Sequence, residues 1–185
     1  MTNKIRSKKS LQNLTQFNKE SQSISRESLE TALLYLLEKK SLAQISISEL
    51  VAKAGVSRNA FYRNYNSKDD ILMHLLKEFI RRIFKGIKLF DISTQASQAW
   101  YYLFTEAKKE ERFLKIIFNQ QLQHLLTQLV TKRLKAYQRW RKNKQSHYAG
   151  LFWSNAIVSV FSNWIKDDMV IPAEEMAKIG LPLLN

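Results

Sequence analysis

The chain has 185 residues, of which 45% are hydrophobic and 25% charged, a balance that can bury a core in one or two small domains and that excludes a disordered or fibrous protein. Thirty Lys and Arg against sixteen Asp and Glu leave a net charge of +14, which favours a polyanionic partner such as nucleic acid or an acidic membrane surface. The absence of cysteine excludes disulfides, thiolate catalysis, iron–sulfur clusters and cysteine zinc sites. Residues Met1 to Glu20 hold no apolar run of signal-peptide length, and no later stretch approaches about 18 uncharged apolar residues, so a soluble cytoplasmic protein is expected. Four Gly, two Pro and no Asn-Gly or Asp-Gly pair leave hairpins little to work with. Apolar residues instead recur at three- and four-residue spacing, which predicts an all-α chain.

Residues 1–22 are rich in Ser, Gln, Asn and Lys, with Leu11, Leu14 and Phe17 as the main apolar points, and are expected to form a mobile basic arm. From there Leu29, Ala32, Leu33, Leu36 and Leu37 form a stripe behind Ser25, a candidate cap, which predicts a first helix over Arg26 to Lys39. Ser46 is placed to cap a second, short helix, with Glu49 at capping-box spacing, inward-facing Ile47, Leu50 and Val51, and Ala54 at its end. Gly55 accepts a positive φ at low cost, Val56 plugs the turn, and Ser57 caps a third helix from Arg58. Two short helices joined by a tight Gly turn are a helix-turn-helix, so residues 23–68 read as a DNA-binding domain and residues 69–185 as a second helical domain.

Ser67 caps the next helix, which carries Asp69 and Asp70 in its first turn and apolar residues to about Phe90; at 1.5 Å per residue it spans roughly 30 Å. Further helices are expected over about Ser97 to Glu106, Glu110 to Phe118, Gln120 to Lys142 and His147 to Asp168. A short one follows, with Pro172 at its first position and Glu174 and Glu175 in its first turn.

The stretch from Ser46 to Lys68 resembles the DNA-binding signature of the TetR family of transcriptional regulators. The resemblance rests on Ala54-Gly55-Val56-Ser57, on Phe61-Tyr62 followed by an aromatic at Tyr65, and on Ser67-Lys68 at the start of a long helix. It covers about 65 residues, from the first helix into the fourth. Asn59-Ala60 replaces the family's common Gly-Thr, Asn64 stands where His is frequent and Tyr65 where Phe is frequent, departures that bear on which operator is read. Beyond Phe90 the resemblance is one of architecture, with Trp164-Ile165-Lys166-Asp167-Asp168-Met169 similar to the end of the regulatory domain in some members. The resemblance implies a DNA-binding head, a regulatory helical domain, and a homodimer formed by pairing the last two long helices into a four-helix bundle.

Read for their chemistry, Ser57, Arg58, Asn59 and Ala60 open the recognition helix and face base edges: Arg58 suits guanine, Asn59 adenine, and Ala60 a thymine methyl. Phosphate contacts fall to Ser46, Tyr62, Arg63 and Lys68, the resemblance pointing particularly at Tyr62 and Lys68. Lys53 reads equally as a phosphate contact or a solvated charge. Lys4, Arg6, Lys8 and Lys9 form either an arm for the minor groove or a solvated tail. The run from Lys132 to Lys144 holds seven basic residues and no acid; it reads as a solvated helix end that complements the dipole, or as a site for DNA, an acidic partner or an anionic effector.

The helix from His147 to Asp168 leaves little polar face, so burial on two sides is expected, and Phe152, Ala156, Ser159, Val160 and Trp164 are the candidate dimer contacts. Trp100, Tyr101, Phe104, Phe113, Phe118 and His124 are the candidate lining of a cavity for a small apolar or aromatic effector. His74, His124 and His147 are too dispersed for a metal site, and the four glycines too dispersed for a phosphate loop, so neither a metal, a cofactor nor an enzymatic activity is expected. The sequence thus reads as a dimeric DNA-binding regulator, in repressor mode, that recognises a palindromic double-stranded operator. The competing reading is an interaction subunit or coactivator that has lost specific DNA binding, and membrane attachment through the basic run is a remote third.

Overall fold

The computed structural model describes residues 2–92, 94–140 and 146–182, apart from the side chains of residues 2–14, 138 and 140. These residues form α-helices α1 (Thr2–Leu37), α2 (Ile47–Ala54), α3 (Arg58–Asn64), α4 (Lys68–Ile87), α5 (Ala96–Lys109), α6 (Glu111–Asn119), α7 (Gln123–Trp140), α8 (His147–Lys166) and α9 (Ala173–Lys178), with a 3-10 turn over Leu42–Gln44. Two compact units divide between Leu72 and Met73, inside α4 rather than at its first residue, where the sequence reading places the division.

The N-terminal unit packs α1 against α2 and α3. Leu29, Leu33 and Leu37 from α1 meet Leu50 of α2, Phe61 of α3 and Ile71 of α4 in a core from which water is fully excluded, the burial that holds three short amphipathic elements together. The first helix begins at Thr2, not at Arg26. No Gly or Pro lies ahead of Arg26, so nothing local keeps the helix from extending back to Thr2. The hydroxyl of Ser25, expected as a cap, donates back to the Ser21 carbonyl at 2.9 Å, and Gln16 donates to Glu20 one turn on. Residues 15–24 of this helix are exposed and burial begins at Leu29, so the apolar stripe marks where α1 enters the core and not where it starts.

In the C-terminal unit α8 packs on α7 and α6, and α9 on α5. Trp100, Phe104, Phe161 and Trp164 form an aromatic cluster, with ring centroids 4.9 Å apart for Phe104 and Phe161 and 5.0 Å for Phe104 and Trp164. The two indole N–H groups are satisfied by the Leu181 and Ile171 carbonyls, which ties the chain on either side of α9 to the same cluster. Ser146 caps α8 by accepting from the Ala149 amide at 3.3 Å. At its other end Asp168 and Met169 take positive φ and the Met169 amide returns to the Trp164 carbonyl at 2.9 Å, so Asp167-Asp168 belongs to the reversal that closes α8. Pro172 precedes the first residue of α9 rather than occupying it. Tyr102 lies directly against Gly86: a Cβ on that glycine would sit 2.0 Å from the phenol oxygen.

Candidate nucleic-acid interface and apolar cavity

Hydrogen bonds at both ends of the helix-turn-helix fix its geometry. The Ser46 hydroxyl accepts from the Glu49 amide at 3.2 Å, and the Ser57 hydroxyl from the Ala60 amide at 3.1 Å, each satisfying a first-turn donor that its helix cannot. Glu49 does not complete the expected capping box; its carboxylate pairs with Lys40, and it is Gln44 that reaches back to its own cap, Ser41. Between the helices Gly55 adopts φ 67°, a left-handed conformation that an L side chain resists, and the Val56 amide returns to the Val51 carbonyl at 3.1 Å.

This frame sorts α3 into two faces. Phe61 and the following Tyr65 are buried, Tyr65 donating its hydroxyl to Glu30 of α1; burial, and then the Glu30 carboxylate, push its phenol pKa well above the usual value. Arg58, Asn59, Tyr62 and Arg63 point outward, with Ala60 half-buried between them. Tyr62 is 57% exposed and rests edge-on against Phe61 with centroids 5.0 Å apart, so its ring is held while its hydroxyl reaches solvent. Arg63 donates from Nε to the Asn59 carbonyl at 3.3 Å. Ser67 caps α4 through the Asp70 amide.

Three cations in this unit are more constrained than their sequence context suggests. The Lys68 ammonium donates to the Ala43 carbonyl at 3.1 Å and the Ile45 carbonyl at 2.6 Å, tying the start of α4 to the segment that leads into α2. Two of its three N–H groups are thus committed to the fold. Lys53 is exposed and lies 3.6 Å over the Tyr35 ring; Lys39 lies 4.3 Å from the same ring and donates to the phenol, and the two lysines pull the Tyr35 pKa down. Arg58 donates from Nη2 to the Ser48 hydroxyl on α2. Ser48 is a residue that sequence reasoning missed; its one signal is that it lies on the exposed face of α2, two positions after the cap.

The C-terminal unit encloses a cavity of about 80 Å³ walled by α4, α5, α6, α7 and α8. Phe79, Ile83, Leu103, Phe118, Val130 and Phe161 are among its lining, and apart from the Tyr137 hydroxyl every lining side chain is hydrocarbon. Of the six residues expected to line it, Phe118 does. Trp100 and Phe104 belong to the aromatic cluster, Phe113 packs on Phe79 at 6.0 Å between centroids, and Tyr101 and His124 are exposed.

The protein-family model described as "Bacterial regulatory proteins, tetR family" matches residues 31–75, and the model "TetR_C_8: Transcriptional regulator C-terminal region" matches residues 94–185. The chain belongs to the TetR family of transcriptional regulators. It is similar to the HTH-type transcriptional regulator EthR of Mycolicibacterium smegmatis, with 41% identity over 51 residues; that stretch is 28% of this chain and 24% of the relative, about a quarter of its length. Two solved structures share the fold. The fatty acid degradation regulator FadR from Bacillus halodurans aligns at TM-score 0.60 and 16% identity, covering 83% of this chain and 91% of that one. A TetR-family regulator from Syntrophomonas wolfei aligns at TM-score 0.62 and 20% identity, covering 91% and 100%.

As a TetR-family protein the chain is a DNA-binding regulator of transcription, and the matched N-terminal segment contains α2, α3 and the start of α4. On α8 of this TetR-family chain, Phe152 is 64% exposed, Ser159 is exposed, and Ala156 and Val160 are half-buried. Trp164, expected beside them at a dimer contact, is 5% exposed and turned into the aromatic cluster of its own unit; the uniformly apolar helix hid which of its faces met the core. Tyr148, 79% exposed one turn before Phe152, extends the same outward stripe. Within the basic run Lys132, Arg133 and Arg139 are exposed, while Arg141, Lys142 and Lys144 lie outside the described residues, as do the side chains of Trp140 and of the arm residues Lys4, Arg6, Lys8 and Lys9. No helix among the described residues is long and apolar enough to cross a membrane.

Proposed function

We propose that this TetR-family regulator represses transcription by occupying a palindromic operator as a homodimer, with α3 of each protomer in the major groove, and that an uncharged apolar small molecule releases it. The observation that carries the reading is the outward face of α3: Arg58, Asn59, Tyr62 and Arg63 are presented together by a helix whose cap, turn and buried Phe61 leave it little freedom. Arg58 and Asn59 read guanine and adenine edges, and Ala60 meets a thymine methyl. Ser46, Ser57, Tyr62, Arg63 and the remaining N–H of Lys68 hold phosphates. A single head makes few contacts, so specificity requires two half-sites about one helical turn apart, and the exposed Tyr148 and Phe152 on α8 suit a contact with a second copy. The hydrocarbon lining of the cavity supports an uncharged apolar ligand, because a charge placed there would lose its hydration without a partner.

Selection of genomic fragments by the purified protein tests the reading. An enriched two-fold-symmetric sequence is expected, with Tyr62→Phe weakening binding to all sequences and Arg58→Ala or Asn59→Ala altering base preference. Recovery of no symmetric sequence would refute it in favour of an interaction subunit. For the ligand, a small neutral alcohol of a size to suit the cavity should raise the melting temperature and weaken operator binding, while a carboxylate of equal length should do neither.

A further inference from the structure

No acidic residue occurs between Glu111 and Asp167, a stretch that contains the whole of α7 and α8. Elsewhere in the C-terminal unit cations and acids are matched: Arg82 pairs with Glu106 and Glu110, and Lys115 with Glu111 and Asp168. On α7, Lys132, Arg133 and Arg139 are exposed and Lys135 is half-buried, and among the described residues no acid pairs with any of the four. Helix geometry puts them on one side. Lys135 and Arg139 fall within about 60° of Lys132 around the axis and Arg133 about 100° from it. The buried Leu126, Val130, Leu134 and Tyr137 fall about 120–200° away. The helix dipole does not account for the set. It favours cations in the last turn, where Arg139 lies, whereas Lys132 stands about two turns earlier.

We propose that this face of α7 is a second duplex-binding surface, one that grips phosphates without reading bases. Given the reading of α3 as the operator-binding element, the regulator seated on its operator then holds a further segment of DNA through its other unit. Charge and the lack of apolar anchors select the occupant. A second copy docked symmetrically would set like charges against each other. A membrane or a protein partner would need an apolar anchor beside the cations, and among the described residues none of the large exposed hydrophobic side chains lies on α7. Duplex DNA needs no such anchor. It carries one negative charge per about 1.7 Å of axis, so the rise from Lys132 to Arg139, about 10.5 Å, spans about six of them. The exposed Ala136 lies between those two cations and lets a phosphate backbone approach closely. Arg139 donates from Nε to the Lys135 carbonyl at 3.3 Å, which steadies the guanidinium and leaves both Nη groups for phosphate oxygens.

The test uses the full chain and a duplex recovered in the selection described above, immobilised through one end. Unaltered protein bound to it, with free protein washed away, should capture a second, labelled duplex of random sequence, and capture should fall steeply with salt. Lys132→Gln/Arg133→Gln/Arg139→Gln should lower capture about tenfold and reduce its salt slope by about three counterions. The same variant should keep its affinity for the immobilised duplex within about twofold. Lys77→Gln/Lys85→Gln/Lys166→Gln removes three exposed cations from α4 and α8 of the same unit and should keep capture. Gln suits an exposed helix about as well as Lys or Arg, and circular dichroism checks that both variants keep their helix content. No capture by the unaltered protein, equal loss in the two variants, or a loss of capture that follows a change in self-association would each overturn the second surface while leaving operator recognition intact. Failure of the unaltered protein to bind any selected duplex would refute the operator-binding reading instead. Binding of random duplex at low salt, lost in the α7 variant and kept in the other, would in that event still support the surface.

Discussion

The outward residues of α3 in the N-terminal unit, Arg58, Asn59, Tyr62 and Arg63, come from six consecutive positions and are held by caps a few residues away. The cavity of the C-terminal unit is walled by five helices, from Phe79 on α4 to Phe161 on α8, and its surface is hydrocarbon apart from one hydroxyl. One unit places polar groups outward at fixed spacing by local hydrogen bonds; the other leaves a space where apolar faces do not quite meet. Under the proposed function, recognition in the head would depend on a few exact positions, whereas accommodation in the cavity would depend on shape and volume.

The largest expected effect tests the head's dependence on its core. Phe61→Ala removes a fully buried ring and should cost about 3–5 kcal/mol, read as a lowered unfolding midpoint together with loss of operator binding; an unchanged midpoint would contradict the role given to that ring. In the other unit, Gly86→Ala sets a methyl against the Tyr102 phenol, which must turn aside, while Ala favours the helix by up to about 1 kcal/mol; the net cost should stay below about 2 kcal/mol, with operator binding by the folded protein retained. Ser48→Ala sharpens the polar side of the contrast. It removes the acceptor that holds Arg58 at a stability cost below about 1 kcal/mol, and it should relax base preference at the position Arg58 reads; a base-preference profile matching the unaltered protein would show that Ser48 does not position Arg58.

The smallest effect is electrostatic. Lys108 and Lys115 hold the Glu111 carboxyl below its usual pKa, and Asp168 and Glu111 hold the Lys115 ammonium above its own. The Glu111 contribution is complete above the ordinary carboxylate value and is lost as pH falls through the depressed one; that of Lys115 is complete below the ordinary lysine value and is lost as pH rises through the raised one. Both side chains keep about a third of their surface in solvent, so screening leaves a small effect. Glu111→Gln should lower the melting temperature slightly at neutral pH, with the difference vanishing in acid.

What the sequence disclosed follows the same division. Ser46, Ser57, Ser67 and Gly55 act at short range, where side chain, turn and helix start lie within three or four residues, and the structure places all four where their spacing puts them. Tyr62 and Phe61 were separable because helical spacing sends neighbours to different faces. Trp100, Phe104 and Phe113 show the limit: their spacing marks them as buried but does not say whether a buried face meets a neighbour or a void. Lys68 shows another, since its carbonyl partners Ala43 and Ile45 lie more than twenty residues back. The start of α1 was hidden because an exposed polar helix has no apolar period to report it.

A buried polar contact joins α7 and α8. Ser154 is fully buried, donates to the Leu151 carbonyl and lies 2.7 Å from the Thr131 hydroxyl across the two helices. Interdigitated apolar side chains already resist sliding, and this pair adds a polar peg. Moving α8 along α7 by one turn, about 5.4 Å, would strand a hydroxyl in an apolar wall at a cost of about 1–3 kcal/mol. If the proposed ligand swells the adjoining cavity, the peg favours a tilt of α8 about Ser154 over a slide along α7.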